Sequence, residues 1–120
     1  MAWFFVFIGG GLGAISRFGI SSLLPNQLDS GKMPLGVLAC NIIGCFLIGL
    51  VFALQKDNTP AWLPPLVITG FLGGFTTFSS FGLETFKLID SGYTNTAILY
   101  VITSLIGSLA ALFIAIKIIR

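Results

Sequence analysis

Long apolar runs separated by short polar ones account for almost the whole chain. Four runs are legible, Trp3–Leu24, Leu35–Leu54, Trp62–Ile89 and Thr96–Ile116. Each is near or above the roughly 20 residues that a helix needs to cross about 30 Å of hydrocarbon. The segments between them, "PNQLDSGKMP", "QKDNTP" and "DSGYTN", have turn-forming compositions and no room for a soluble domain. The pattern predicts an all-α membrane protein, residues 1–120 forming one domain of four transmembrane helices over 3–24, 35–54, 62–89 and 96–116. The first run lacks a basic leader and a small-x-small cleavage site, so it reads as a permanent span rather than a secretory signal.

Composition agrees with the pattern. Hydrophobic residues make up 56% of the 120 positions and charged residues 8%, far from the balance of a soluble domain. There is no histidine, which removes the usual ligand and base of metal and acid–base catalysis. Cys40 and Cys45 lie in one span about 140° apart around the helix, so they read as small buried hydrophobes and not as a bridge. The stretch "GGGLGA" at residues 9–14 satisfies a dinucleotide-binding pattern. That pattern has meaning only between a strand and a helix, and here it sits inside an apolar span. Small residues in membrane helices instead permit close backbone approach, and Gly36, Cys40 and Gly44 repeat the device at intervals of four.

With the N-terminus cytoplasmic, one side holds Lys56, Lys117 and Arg120, and the other holds Arg17, Lys32 and Lys87. Basic residues in short loops set topology, and three against three is no bias. The count predicts a chain that inserts both ways and pairs as an antiparallel dimer; the alternative is a weak bias set by features outside the count. Four short spans enclose little interior, which also favours association of copies.

Polar residues within the spans are costly and mark candidate sites. Asn41 offers an amide, or else glues two helices. Tyr100, Ser104 and Ser108 recur every four residues and share one helix face, although each alone would ordinarily bond back to its own backbone. Glu84 and Lys87, near the end of the third span, are explained by a surface ion pair or by snorkelling. The third run is longer than a straight crossing requires, and at its middle stands "GGFTTFSSFGLE". Adjacent glycines followed by two β-branched threonines predict a break in that helix, tolerated only where the freed carbonyls are buried, hydrated or bound to a cation. Phe78 and Phe81, three apart just past the break, fall on nearly the same side. Their positive ring edges, beside Ser79, Ser80 and an asparagine donor, could replace water around a small anion.

The segments "GGGLGAISRF", "NIIGCFLIG" and "GFLGGFTTFSSFGLE", in this order over a chain of this size, resemble the Fluc (CrcB) family of fluoride channels. The resemblance covers essentially the whole chain, with Phe75 as a harmless departure. It implies a dual-topology antiparallel homodimer in the bacterial plasma (inner) membrane that passively exports fluoride through two pores and so relieves fluoride toxicity. Its partners would be fluoride, its own copy and membrane lipid, with no nucleic acid and no enzymatic activity. On the matching positions, Asn41, Phe78 and Phe81 would line the pore. Tyr100, Ser104 and Ser108 would form a hydroxyl track, Glu84 would stand near the pore end, and Arg17 would stand at the aqueous vestibule. Gly73 and Thr76 would give backbone carbonyls to a structural sodium ion on the dimer axis. Two other readings are a small multidrug-type, dual-topology proton-coupled transporter and a structural membrane subunit. The first needs a carboxylate deep in the membrane, and Glu84 stands near a span end.

Overall fold

The computed structural model describes residues 1–24 and 31–120; Asp29 and most of the first predicted linker lie outside the described residues. Four helices are long and apolar enough to cross a membrane, Ala2–Leu23, Leu35–Leu54, Pro64–Asp90 and Thr94–Ile119, and among the described residues there is no strand. The chain is a multi-pass, all-helical membrane protein. The fourth helix runs past its apolar run at both ends, taking in Thr94 and Asn95 at its start and Lys117, Ile118 and Ile119 at its end. Lys117 in its last turn also complements the helix dipole. The third span opens on Pro64 and Pro65, whose missing N–H groups have no intrahelical partner to lose in a first turn.

The first span packs along the third and the second along the fourth, giving a body of 51 × 31 × 20 Å. Its least dimension is two helix diameters. Glycines set the closest contacts. A Cβ at Gly9 would overlap the Leu66 carbonyl oxygen, one at Gly13 the Phe71 carbonyl, and one at Gly74 the Gly10 carbonyl. The "GGGLGA" stretch is therefore a backbone-to-backbone contact between the first and third spans. On the second span, Gly36 abuts Ser21, Cys40 is fully buried, and Gly44 leaves room for the Thr76 side chain.

The third span is unevenly wound. Residues Pro64–Leu72 form a π-helix, with the Gly73 N–H reaching back to the Ile68 carbonyl, a winding that occurs mostly as short bulges at functional sites. One α-turn follows over Gly73–Phe75, and then Thr76 is extended at φ −87°, ψ 157°. Helix resumes over Ser79–Asp90. This second segment is anchored by a buried cluster of Val37, Phe81, Leu88, Ala97 and Tyr100, which joins it to the fourth span and to the start of the second. It ends at Gly92, whose φ of +90° lets the Gly92 N–H reach the Ile89 carbonyl and the Tyr93 N–H reach the Leu88 carbonyl, a Schellman closure.

Gly13→Val should force the first and third spans apart and cost about 1–3 kcal/mol, the range for overpacking. Gly11→Ala, where an added Cβ meets nothing within 4 Å, should stabilise by about 0.5–1 kcal/mol, the helix preference of alanine over glycine. Thermal unfolding of both variants in detergent micelles checks the pair, and equal effects would refute the contact.

Candidate functional site

Six residues singled out in the sequence come together. Asn41, Thr76, Phe78, Phe81, Ser104 and Ser108 line a cavity of about 290 Å³, with Cys45, Thr77, Leu105 and Leu109 completing the wall. The second span contributes Asn41, the irregular stretch of the third contributes Phe78, and the fourth contributes both serines. The rings of Phe78 and Phe81 lie 5.6 Å apart and are tilted by 48°. Phe81 is buried and packs on Tyr100 at 5.1 Å, whereas Phe78 is 79% exposed.

Among the described residues, Ser104 holds the only buried side-chain polar atom without a hydrogen-bond partner. Ser16, Ser22, Thr76 and Thr85 each donate to the carbonyl four residues earlier, the ordinary habit of hydroxyls in helices. The Ser104 hydroxyl has no partner although its residue is only 6% exposed. A buried hydroxyl left unpaired costs about 1–3 kcal/mol, and this one stands on the cavity wall.

Asn41 is less free than its sequence position suggests. Its Oδ1 accepts the Thr77 N–H at 2.8 Å and its Nδ2 donates to the Thr77 carbonyl at 3.0 Å. Only one amide hydrogen is left for the cavity. Thr77 in turn accepts the Ser80 N–H on its hydroxyl at 3.2 Å and so caps the first turn of the resumed helix. An uninterrupted helix would send the Thr77 N–H to the Gly73 carbonyl and the Ser80 N–H to the Thr76 carbonyl. Both carbonyls have lost those donors. Arg17 also serves this stretch, since its Nε donates to the Gly74 carbonyl at 3.2 Å; it meets the third span at the irregular stretch and does not line the cavity.

Ser79 and Gly73 are exposed and Ser80 is half-buried, and none of the three lines the cavity. A roomier cavity of about 470 Å³ lies between the end of the second span and the start of the third, with Val51, Leu63 and Lys56 on its walls. It contains none of these groups.

The family model described as CrcB-like protein, Camphor Resistance (CrcB), matches residues 4–116. The chain belongs to the CrcB-like family. Among its relatives, one from Francisella philomiragia is 42% identical over 113 residues, covering 89% of this chain and 85% of the relative. One from Paracoccus denitrificans is 45% identical over 106 residues, covering 88% and 84%. A third, from Azobacteroides pseudotrichonymphae, is 42% identical over 115 residues, covering 92% and 90%. All three are named fluoride-specific ion channel FluC.

Two residues of this CrcB-like chain matter more than their sequence positions disclosed. Thr77 holds the irregular stretch at both its backbone and its hydroxyl; the one available signal was a threonine three residues before an N–H in a new first turn, the spacing of a helix cap. Glu84, whose position suggested a surface pair with Lys87, is half-buried and accepts the Tyr100 hydroxyl at 3.1 Å. Tyr100 therefore serves Glu84 and does not line the cavity, so the hydroxyl track divides into a tyrosine–glutamate pair and two cavity serines.

Tyr100→Phe should cost about 1.5–3 kcal/mol, the worth of a hydrogen bond to a charged group. Glu84→Gln, which keeps an acceptor oxygen, should cost less. Denaturation midpoints of the two variants in detergent decide the order, and a smaller loss for Tyr100→Phe would show that the bond is idle.

Proposed function

We propose that this chain is a passive, fluoride-selective ion channel that lets fluoride leave the bacterial cytoplasm across the inner membrane. The shared name of its relatives supplies the ion. The observation that carries the reading to this chain is the unpartnered Ser104 hydroxyl on a wall shared with Asn41, Phe78, Phe81 and Ser108. A hydroxyl donor, one free amide hydrogen and two aromatic rings with positive edges can replace the hydration of a small anion. No side chain must change protonation state for the ion to pass. Hydrogen fluoride enters cells as the neutral acid and dissociates inside. A leak returns the anion, driven by an inside-negative potential worth about 2.3 kcal/mol per charge per 100 mV.

The working unit in this reading is an antiparallel homodimer with two pores. Three features support it. The chain is 20 Å thick in its least dimension, Phe78 and Gly73 are exposed within the third span, and the six basic residues divide evenly between the two sides. The Gly73 and Thr76 carbonyls suit a hard cation, which takes neutral and anionic oxygen ligands, because their helical donors are drawn off to Asn41 and Thr77. Two such oxygens from each chain would hold a structural sodium ion on the dimer axis. Bound there, it supplies a fixed positive charge and a tie between the two chains.

Phe81→Ile keeps bulk and apolarity but removes the positive ring edge. Fluoride efflux from proteoliposomes should fall about a hundredfold or more, the scale on which a single preorganised anion donor acts, while the dimer persists. Undiminished flux through the folded variant would reduce the rings to packing.

Dual topology is tested by charge. Two lysines added around Asp57 should drive that loop to the cytoplasm in nearly every copy, abolishing fluoride resistance in a cell that depends on this protein. Lysines added around Asp29 should bias the opposite way and fail equally, and co-expression of the two variants should restore resistance. Full protection by one variant shown by accessibility labelling to have a single orientation would overturn the antiparallel dimer.

A further inference from the structure

Side-chain oxygens draw two backbone N–H groups around Thr77 away from the helix by the same device. The Thr77 N–H is taken by Asn41 Oδ1 at 2.8 Å, and the Ser80 N–H is taken by Thr77 Oγ1 at 3.2 Å. Each N–H is the one that continued winding would return to a specific carbonyl, Gly73 in the first case and Thr76 in the second. The Asn41 amide has one consistent orientation, because a flipped amide would set its NH₂ against the Thr77 N–H and its oxygen against the Thr77 carbonyl. The grip is therefore two-handed, and it comes from another span. Helix can close over Gly73 only if Asn41 loses both partners inside the membrane, where unmade hydrogen bonds are costly.

We propose that Asn41 and the Thr77 hydroxyl are positioning residues for a cation site, holding the Gly73 and Thr76 carbonyls open by diverting the N–H groups that would otherwise cover them. This rests on the sodium reading given above and adds what maintains the site. Asn41 also lines the cavity of the serines and phenylalanines, so one side chain belongs to both the anion wall and the cation cradle. Loss of its amide should weaken sodium binding as well as anion passage. A residue that only donated to an anion would leave sodium untouched.

Sodium titration of the thermal midpoint, on purified dimer in detergent with N-methylglucamine as the replacing cation, tests this without any flux measurement. Asn41→Leu should raise the sodium concentration for half-maximal stabilisation by about tenfold or more, as loss of supporting partners does at other metal sites. Thr77→Val, which keeps the β-branched shape and loses the hydroxyl, should do the same through Thr76 and provides the test if Asn41→Leu fails to fold. Thr77→Ser should titrate like the parent. A sodium-dependent parent with either folded variant, Asn41→Leu or Thr77→Val, titrating identically would overturn the proposal while leaving the sodium site standing. A parent indifferent to sodium would overturn the site and the proposal together.

Discussion

Lipid tails offer no hydrogen bonds, so a backbone N–H or carbonyl released from a helix within the bilayer must be satisfied by protein, by a ligand or by water in a cavity. The exchange between the Asn41 amide and the Thr77 backbone meets this constraint where winding of the third span lapses, at 2.8 and 3.0 Å. With the Arg17 bond to the Gly74 carbonyl and the Thr77 hydroxyl cap on the Ser80 N–H, it accounts for groups that continuous helix would have paired. Thr76 can then be extended and the helix can restart in a new direction. These side chains take up groups that the local weakness of the glycine pair and the threonines sets free.

Close contact of the first and third spans fixes the start of that stretch. Glycine at 9, 13 and 74 lets two backbones meet where any side chain would overlap a carbonyl, and lipid tails offer no hydrophobic gain to drive helices together otherwise. Past the lapse, burial takes over. Phe81, Leu88, Ala97 and Tyr100 pack with Val37, so the second half of the span is held by the fourth helix. The irregular stretch lies between a segment gripped by backbone contact and one gripped by side-chain packing, and the cavity opens beside it.

The polar groups of the cavity differ in how far they are committed. Asn41 spends both ends of its amide on Thr77, and Tyr100 spends its hydroxyl on Glu84. Ser104 spends nothing despite burial, whereas Ser16, Ser22, Thr76 and Thr85 on other spans bond back to the main chain. The wall thus mixes groups already spent on the protein with donors that have no protein partner.

Much of the fold was legible because the membrane demands it in one dimension: a span must be long and apolar, and the runs at Leu35–Leu54 and elsewhere announce themselves. The glycine pair and the threonines likewise marked the weak point of the third span, since local backbone preference is a local property. The hydroxyl spacing at Tyr100, Ser104 and Ser108 put three groups on one face, but periodicity is blind to what stands opposite. Tertiary structure decided that Tyr100 turns to Glu84 while Ser104 is left alone. It also made Asn41 a backbone partner of Thr77, 36 positions away in the chain. Thr77, one of four hydroxyl residues in its motif, became the keystone only because the second span brings an amide against it. A hydrogen bond has two ends, and the sequence shows the chemistry of each end while the fold alone determines which ends meet.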